Sequence, residues 1–190
     1  MSETEEKDII TRVKKGDVNA FAGLVDNYKD IVFTLCLRML VNETDAGEAA
    51  QEIMIKAYRS LNQFQERAKF STWLYRISYN HCISVIRSKT RIIDLVEDVT
   101  DNGQEAADLD GIMSLEKEER KKYVEEAMDS LAETDAFIIT LFYFDELSLE
   151  EIARITGMTS GNIRIRLYRA RKKLGEILTE KLKIEIESLL

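Results

Sequence analysis

Between Arg164 and Lys173 six of ten residues are basic, Arg164, Arg166, Arg169, Arg171, Lys172 and Lys173, and none is acidic. A guanidinium offers a planar fork of donors that pairs with guanine edges or with phosphate oxygens, so this density of arginine suits nucleic-acid recognition. The surrounding stretch, SLEEIARITGMTSGNIRIRLYRARKKL (Ser148 to Leu174), holds seven of the chain's 27 Lys and Arg residues, in a protein whose formal net charge is −8. A helix that is merely solvated needs less charge and usually mixes both signs.

Other reactive side chains lack the company that chemistry requires. His81 is the only histidine, and no Cys, His and carboxylate set stands at metal-ligand spacing, so no metal or cofactor is expected. Glu48 and Glu52 form a carboxylate pair with nothing nearby to complete an acid and base couple, which favours a solvated or partner-facing surface. No glycine loop that would cradle a nucleotide is present, nor a nucleophile beside a base, and an enzyme is not expected. Trp73 invites a role as a wedge in a DNA duplex, but Phe70, Trp73, Leu74 and Ile77 share one helical face, which predicts core packing.

The cations need a scaffold, and the local sequence supplies one. Ser148 with Glu151 predicts a capping box for a short helix whose buried side is Leu149, Ile152 and Ala153 and whose end is Gly157. Thr159 or Ser160 then caps a second helix with an inward stripe of Ile163, Leu167, Ala170 and Leu174. A short positioning helix, a tight glycine turn and a longer helix with a cationic outer face make a helix-turn-helix, whose second helix fits the DNA major groove.

The remainder reads as helix as well. Proline is absent, only 8 of 190 residues are glycine, and the predicted fold is all-α: two small helical domains joined by a flexible acidic linker, the C-terminal one containing the helix-turn-helix. Amphipathic spacing predicts helices near 5–15, 19–41, 45–61 and 71–88, with Asp45 and Glu48 as a capping box for the third. Two more are predicted near 114–131 and 133–144. Residues 97–111, EDVTDNGQEAADLDG, have no aromatic residue and a dense set of acids, so the domains are placed at 1–92 and 114–190 with a linker at 93–113. Residues 91–146 carry a net −12 immediately before the +5 of residues 147–175, which suggests that the tether screens the cationic helix. No apolar run approaches the roughly 20 residues of a membrane helix, so no membrane insertion is expected. The start, MSETEEKD, is unlike a signal peptide, and Cys36 and Cys82 sit in apolar helical patterns that suit reduced thiols. A cytoplasmic protein is expected.

The stretch Ser148 to Leu174 resembles the region of bacterial extracytoplasmic-function (ECF) sigma factors, in the sigma-70 family, that reads the minus-thirty-five promoter element. DAGEAAQEIMIKAYRSLNQF (Asp45 to Phe64) and FSTWLYRISYNHCISVIR (Phe70 to Arg87) are similar to the same family's segment that binds core RNA polymerase and opens the minus-ten element. The resemblance implies a sigma factor that directs promoter-specific initiation, with core RNA polymerase (β′ clamp helices and β subunit), promoter DNA and an anti-sigma factor as partners. By matched position, Asp45, Glu48, Gln51 and Glu52 would dock on the clamp helices. Phe64, its loop to Phe70 and Asn80 would hold unstacked bases, with Arg76, Arg87 and Lys89 as a cationic track for phosphates. Arg164, Ile165, Arg166, Tyr168, Arg169, Arg171 and Lys173 would meet the minus-thirty-five element.

Three positions depart from the family's usual pattern. Ser84 stands where an Asp is usual, Asn162 where a Thr usually follows the Gly, and Ile165 where a small or polar residue is common. At Ile165 an apolar contact to a thymine methyl becomes available. The competing expectations are a stand-alone helix-turn-helix regulator, which lacks a heptad dimer seam here, and a helical adaptor that binds only protein.

Overall fold

The computed structural model describes the backbone of residues 1–93 and 117–188, and the side chains of residues 1–89 and 122–180. Every regular element among the described residues is helical. The acidic tether and its screening role fall outside the described residues. The chain divides into two compact units, one of Met1–Ile92 with Arg154–Gly157 and one of Ile93–Ala153 with Met158–Leu190.

The N-terminal unit holds α1 (Glu3–Lys14), α2 (Phe21–Leu40), α3 (Glu43–Ser60) and α4 (Phe70–Ile93), with single 3-10 turns at Val18–Ala20 and Leu61–Gln63. α1 starts two residues before the predicted point because Ser2 and Glu5 form a reciprocal capping box. Gly16, at φ +103°, ends that segment in a backbone conformation that a side chain resists. α3 also starts early: the Asn42 side chain, not that of Asp45, caps it by accepting the Asp45 N–H at 3.0 Å. Asp45 therefore lies inside the first turn, where its negative charge faces the exposed N–H groups favourably. The predicted inward stripe of α3, Ala46, Ala49, Ile53, Ala57 and Leu61, is buried throughout. Its small alanines let α2 approach closely and present Val32, Leu35 and Met39 to the same core.

Cys36 and Cys82 meet in that core as free thiols, Cys82 donating to Cys36 across 3.7 Å. The bond to Cys82 and burial hold the Cys36 thiol well above its usual range, so it is neutral and unreactive. Among the described residues no helix is long and apolar enough to cross a membrane.

The C-terminal part of the chain contains α5 (Lys117–Asp129), α6 (Glu133–Tyr143), α7 (Leu149–Thr156) and α8 (Ser160–Ser188). α6 is its hydrophobic post: Ala136, Phe137, Ile138, Ile139 and Leu141 are all buried, and the hydroxyl of buried Thr140 is satisfied by the Ala136 carbonyl at 2.9 Å. α5 and α8 pack together and α6 packs on α8, while Ile152 and Ile155 of α7 are buried.

Candidate nucleic-acid interface

The helix-turn-helix forms as its residues dictate. Ser148 Oγ accepts from the Glu151 N–H at 3.2 Å while the Glu151 carboxylate accepts from the Ser148 N–H at 3.0 Å, closing the predicted capping box. Gly157 ends α7 at φ +76°. Thr159 caps α8, its Oγ1 accepting the Asn162 N–H at 3.2 Å. Ile163, Leu167 and Ala170 are buried as predicted, whereas Leu174 is half-buried and Leu178 continues the inward stripe.

Helical geometry, about 100° per residue, sorts the cations of α8 into three ranks. Ile165 lies opposite the buried stripe and is 54% exposed, with Tyr168, 63% exposed, and Arg169 to either side. Arg164 and Lys173 stand at the margins of this outward face, both exposed. Arg166 and Arg171 lie beside the stripe: Arg166 is half-buried and turns inward, its Nη1 donating to Asp135 Oδ1 of α6 at 2.6 Å, whereas Arg171 stays exposed with its Nε donating to the Leu167 carbonyl of its own helix at 3.2 Å. The sequence places seven residues on one reading surface. The structure brings Arg164, Ile165, Tyr168, Arg169, Arg171 and Lys173 to solvent and commits Arg166 partly to the protein.

In the N-terminal unit, Arg76, Asn80 and Arg87 share one exposed strip of α4, with exposed Ser84 among them. Phe64 differs from its predicted place. It is 6% exposed, its ring packed on Phe70 and Trp73 with centroids 5.7 and 5.2 Å away, so it belongs to the core and offers no open face for a base to stack on. Lys14 pins this arrangement, donating to the Phe64 carbonyl at 2.8 Å with its ammonium 5.5 Å from the ring centroid. Trp73 packs its ring on Phe64 and Phe70 but stays half-buried, at the edge of the core that its spacing predicts for it. The loop instead offers a recess of about 230 Å³ between α1 and residues 64–70, where Glu3, Glu6 and Glu66 are acceptors and Lys7, Arg67 and Lys69 are cations. The sequence reading missed the contribution of α1, which lies more than fifty residues from the loop.

α3 turns Glu48, Gln51 and Glu52 outward, with Ile55, 49% exposed, set among them. Ile55 was legible as the apolar residue that interrupts a polar face, and was overlooked. The seam between α3 and α4 is polar: Asp45 pairs with Lys89, which takes Lys89 out of the predicted phosphate track. Lys56 bonds Nδ1 of His81, and Glu52 lies 3.8 Å from both Lys56 and His81 Nε2. Burial, then the neighbouring ammonium, push the His81 pKa down, so the ring is neutral and accepts from Lys56. Among the described residues no group of His, Cys, Asp and Glu could hold a metal ion.

Two helical units, one with a polar α3 and α4 surface and one with a cationic helix-turn-helix, define a two-domain DNA-binding protein of the sigma-70 kind. The family described as Sigma-70 region 2 matches residues 24–92, and that described as Sigma-70, region 4 matches residues 121–174. Over 181 residues, 90% of this chain and 95% of the relative, the sequence is 39% identical to the ECF RNA polymerase sigma factor SigW of Bacillus subtilis. It is 35% identical to the ECF RNA polymerase sigma-E factor of Escherichia coli strain K12, over 87% of this chain and 90% of the relative. The sigma factor RpoE of Bartonella quintana, solved in complex with the anti-sigma factor NepR, has the same fold, with a TM-score of 0.66 and 22% identity over 85% of this chain and 98% of RpoE. The chain belongs to the ECF RNA polymerase sigma factors, proteins that direct RNA polymerase to promoters.

Proposed function

We propose that three surfaces of this chain divide the work of initiation. The outward face of α3, with Glu48, Gln51 and Glu52 around Ile55 and with Asp45 at its edge beside Lys89, docks on the β′ clamp helices of core RNA polymerase. The Arg76, Asn80 and Arg87 strip of α4 and the recess beside Phe64 hold the opened minus-ten strand, the arginines on phosphates and the Asn80 amide on a base edge. The outward face of α8 reads the minus-thirty-five element, Arg164 and Arg169 meeting base edges and Lys173 the backbone. The observation that carries this reading is the sorting of α8, which leaves an apolar residue and its flanking cations exposed on the side opposite the core. An anti-sigma factor, the kind of partner RpoE has in its complex, completes the reading. A regulator that binds DNA without polymerase is not favoured, because the N-terminal unit matches Sigma-70 region 2.

The test of the minus-ten assignment is permanganate reactivity of promoter thymines in reconstituted holoenzyme. Asn80→Ala should retain polymerase affinity and lose reactivity around the minus-ten element. Equal reactivity in the two proteins would make Asn80 a surface residue only.

A further inference from the structure

Arg166 leaves the row of cations on α8 and reaches across to α6, where Asp135 receives it at 2.6 Å. Asp135 lies in the first turn of α6, where a negative charge interacts favourably with the unpaired N–H groups of that helix end. Both side chains are mostly shielded from water, which screens this pair less than an exposed one. Arg166 is also next to the buried stripe, at the edge of the face that Arg164, Ile165 and Arg169 turn outward. Released from Asp135, a flexible arginine at this edge would reach a phosphate of any duplex that α8 enters, whatever its sequence.

We propose that Asp135 sets the specificity of DNA binding: by holding Arg166 against α6 it withholds one cation from phosphate, lowering affinity for arbitrary DNA while the base-reading residues stay in place. The inference rests on the assignment of α8 as the DNA-reading helix. Its logic is that non-specific binding grows with the number of cations on phosphates, whereas the ratio of specific to non-specific binding decides whether a promoter is found among competing sites.

The test uses the full chain and a labelled random-sequence duplex, with affinity followed by anisotropy between about 50 and 200 mM salt. Each added phosphate contact steepens the plot of log affinity against log salt by about 0.9, making the loss over that range about 3.5-fold larger. Asp135→Ala should bind random DNA more tightly at low salt with this steeper slope. Asp135→Asn, which keeps the side-chain shape, should change in the same direction by a smaller amount. Adding Arg166→Gln to either variant should remove the gain. Glu133→Gln, which removes the same charge from the same helical turn, should not reproduce the change in slope. The proposal is overturned if the Asp135 variants lose thermal stability with slope and affinity unaltered, or if Glu133→Gln matches them. Absence of salt-dependent DNA binding by the unaltered chain would overturn the assignment of α8 as well.

Discussion

Ile165 occupies the centre of the outward face of α8 and contributes no charge, so its effect on DNA binding is separable from that of the cations beside it. Full burial of an isoleucine side chain contributes about 1.5 to 3 kcal/mol. Ile165 is 54% exposed before binding, so covering the remainder against a thymine methyl contributes about 0.8 to 1.6 kcal/mol, or about four- to fifteen-fold in Kd. Ile165→Ala should weaken holoenzyme binding to the cognate minus-thirty-five element by up to that factor. The sharper assay replaces each thymidine of the element in turn by deoxyuridine, which deletes only the methyl group. At the contacted position the DNA change and Ile165→Ala should be non-additive, because each removes the same contact. If the two changes add at every position, or if Ile165→Ala weakens unrelated sequences equally, the apolar contact to a base does not exist.

Arg164→Ala should cost about 1 to 3 kcal/mol on the cognate element and blur its preference, whereas Lys173→Ala should weaken all sequences alike and flatten the salt slope by about 1, as read by titration of holoenzyme on matched and scrambled promoters. Val41, β-branched and 62% exposed, closes α2 at φ +63°; Val41→Gly relieves that strain at some entropic cost and should stabilise the N-terminal unit by about 0.5 to 1 kcal/mol, raising its thermal midpoint by about 2 to 8 °C. His81 has a lowered pKa in the folded unit, so the unfolded chain takes up a proton first as pH falls, and stability should decline below about pH 6.5; His81→Gln should flatten that decline in melts run at successive pH values.

What the sequence made legible is what short-range chemistry decides. The Ser148 and Glu151 box, the Gly157 turn and the Thr159 cap lie within a few residues of the backbone they satisfy, and each forms as expected. The stripe of α3 follows from spacing alone. The misplaced features depend on partners far along the chain or on competition between near neighbours. Phe64 is buried because Lys14 and the aromatic rings of Phe70 and Trp73 enclose it, and Arg166 faces Asp135, 31 residues before it. The cap of α3 went to Asn42 over Asp45, two residues of similar capping tendency, once Val41 had turned the chain left-handed just before it. Hydrophobic period also could not separate a cation on the flank of α8 from one on its outer face, a difference of under one helical turn that a bond to α6 decides.

The most direct measurement of the central claim is run-off transcription on a library of promoter fragments, using core RNA polymerase with and without this chain. Core enzyme plus the chain should give discrete transcripts that neither gives alone, sharing one spaced pair of promoter elements. Those transcripts should be lost with Arg164→Ala and Arg169→Ala combined. Transcripts that do not depend on the chain, or the same set from the doubly substituted protein, would contradict the account.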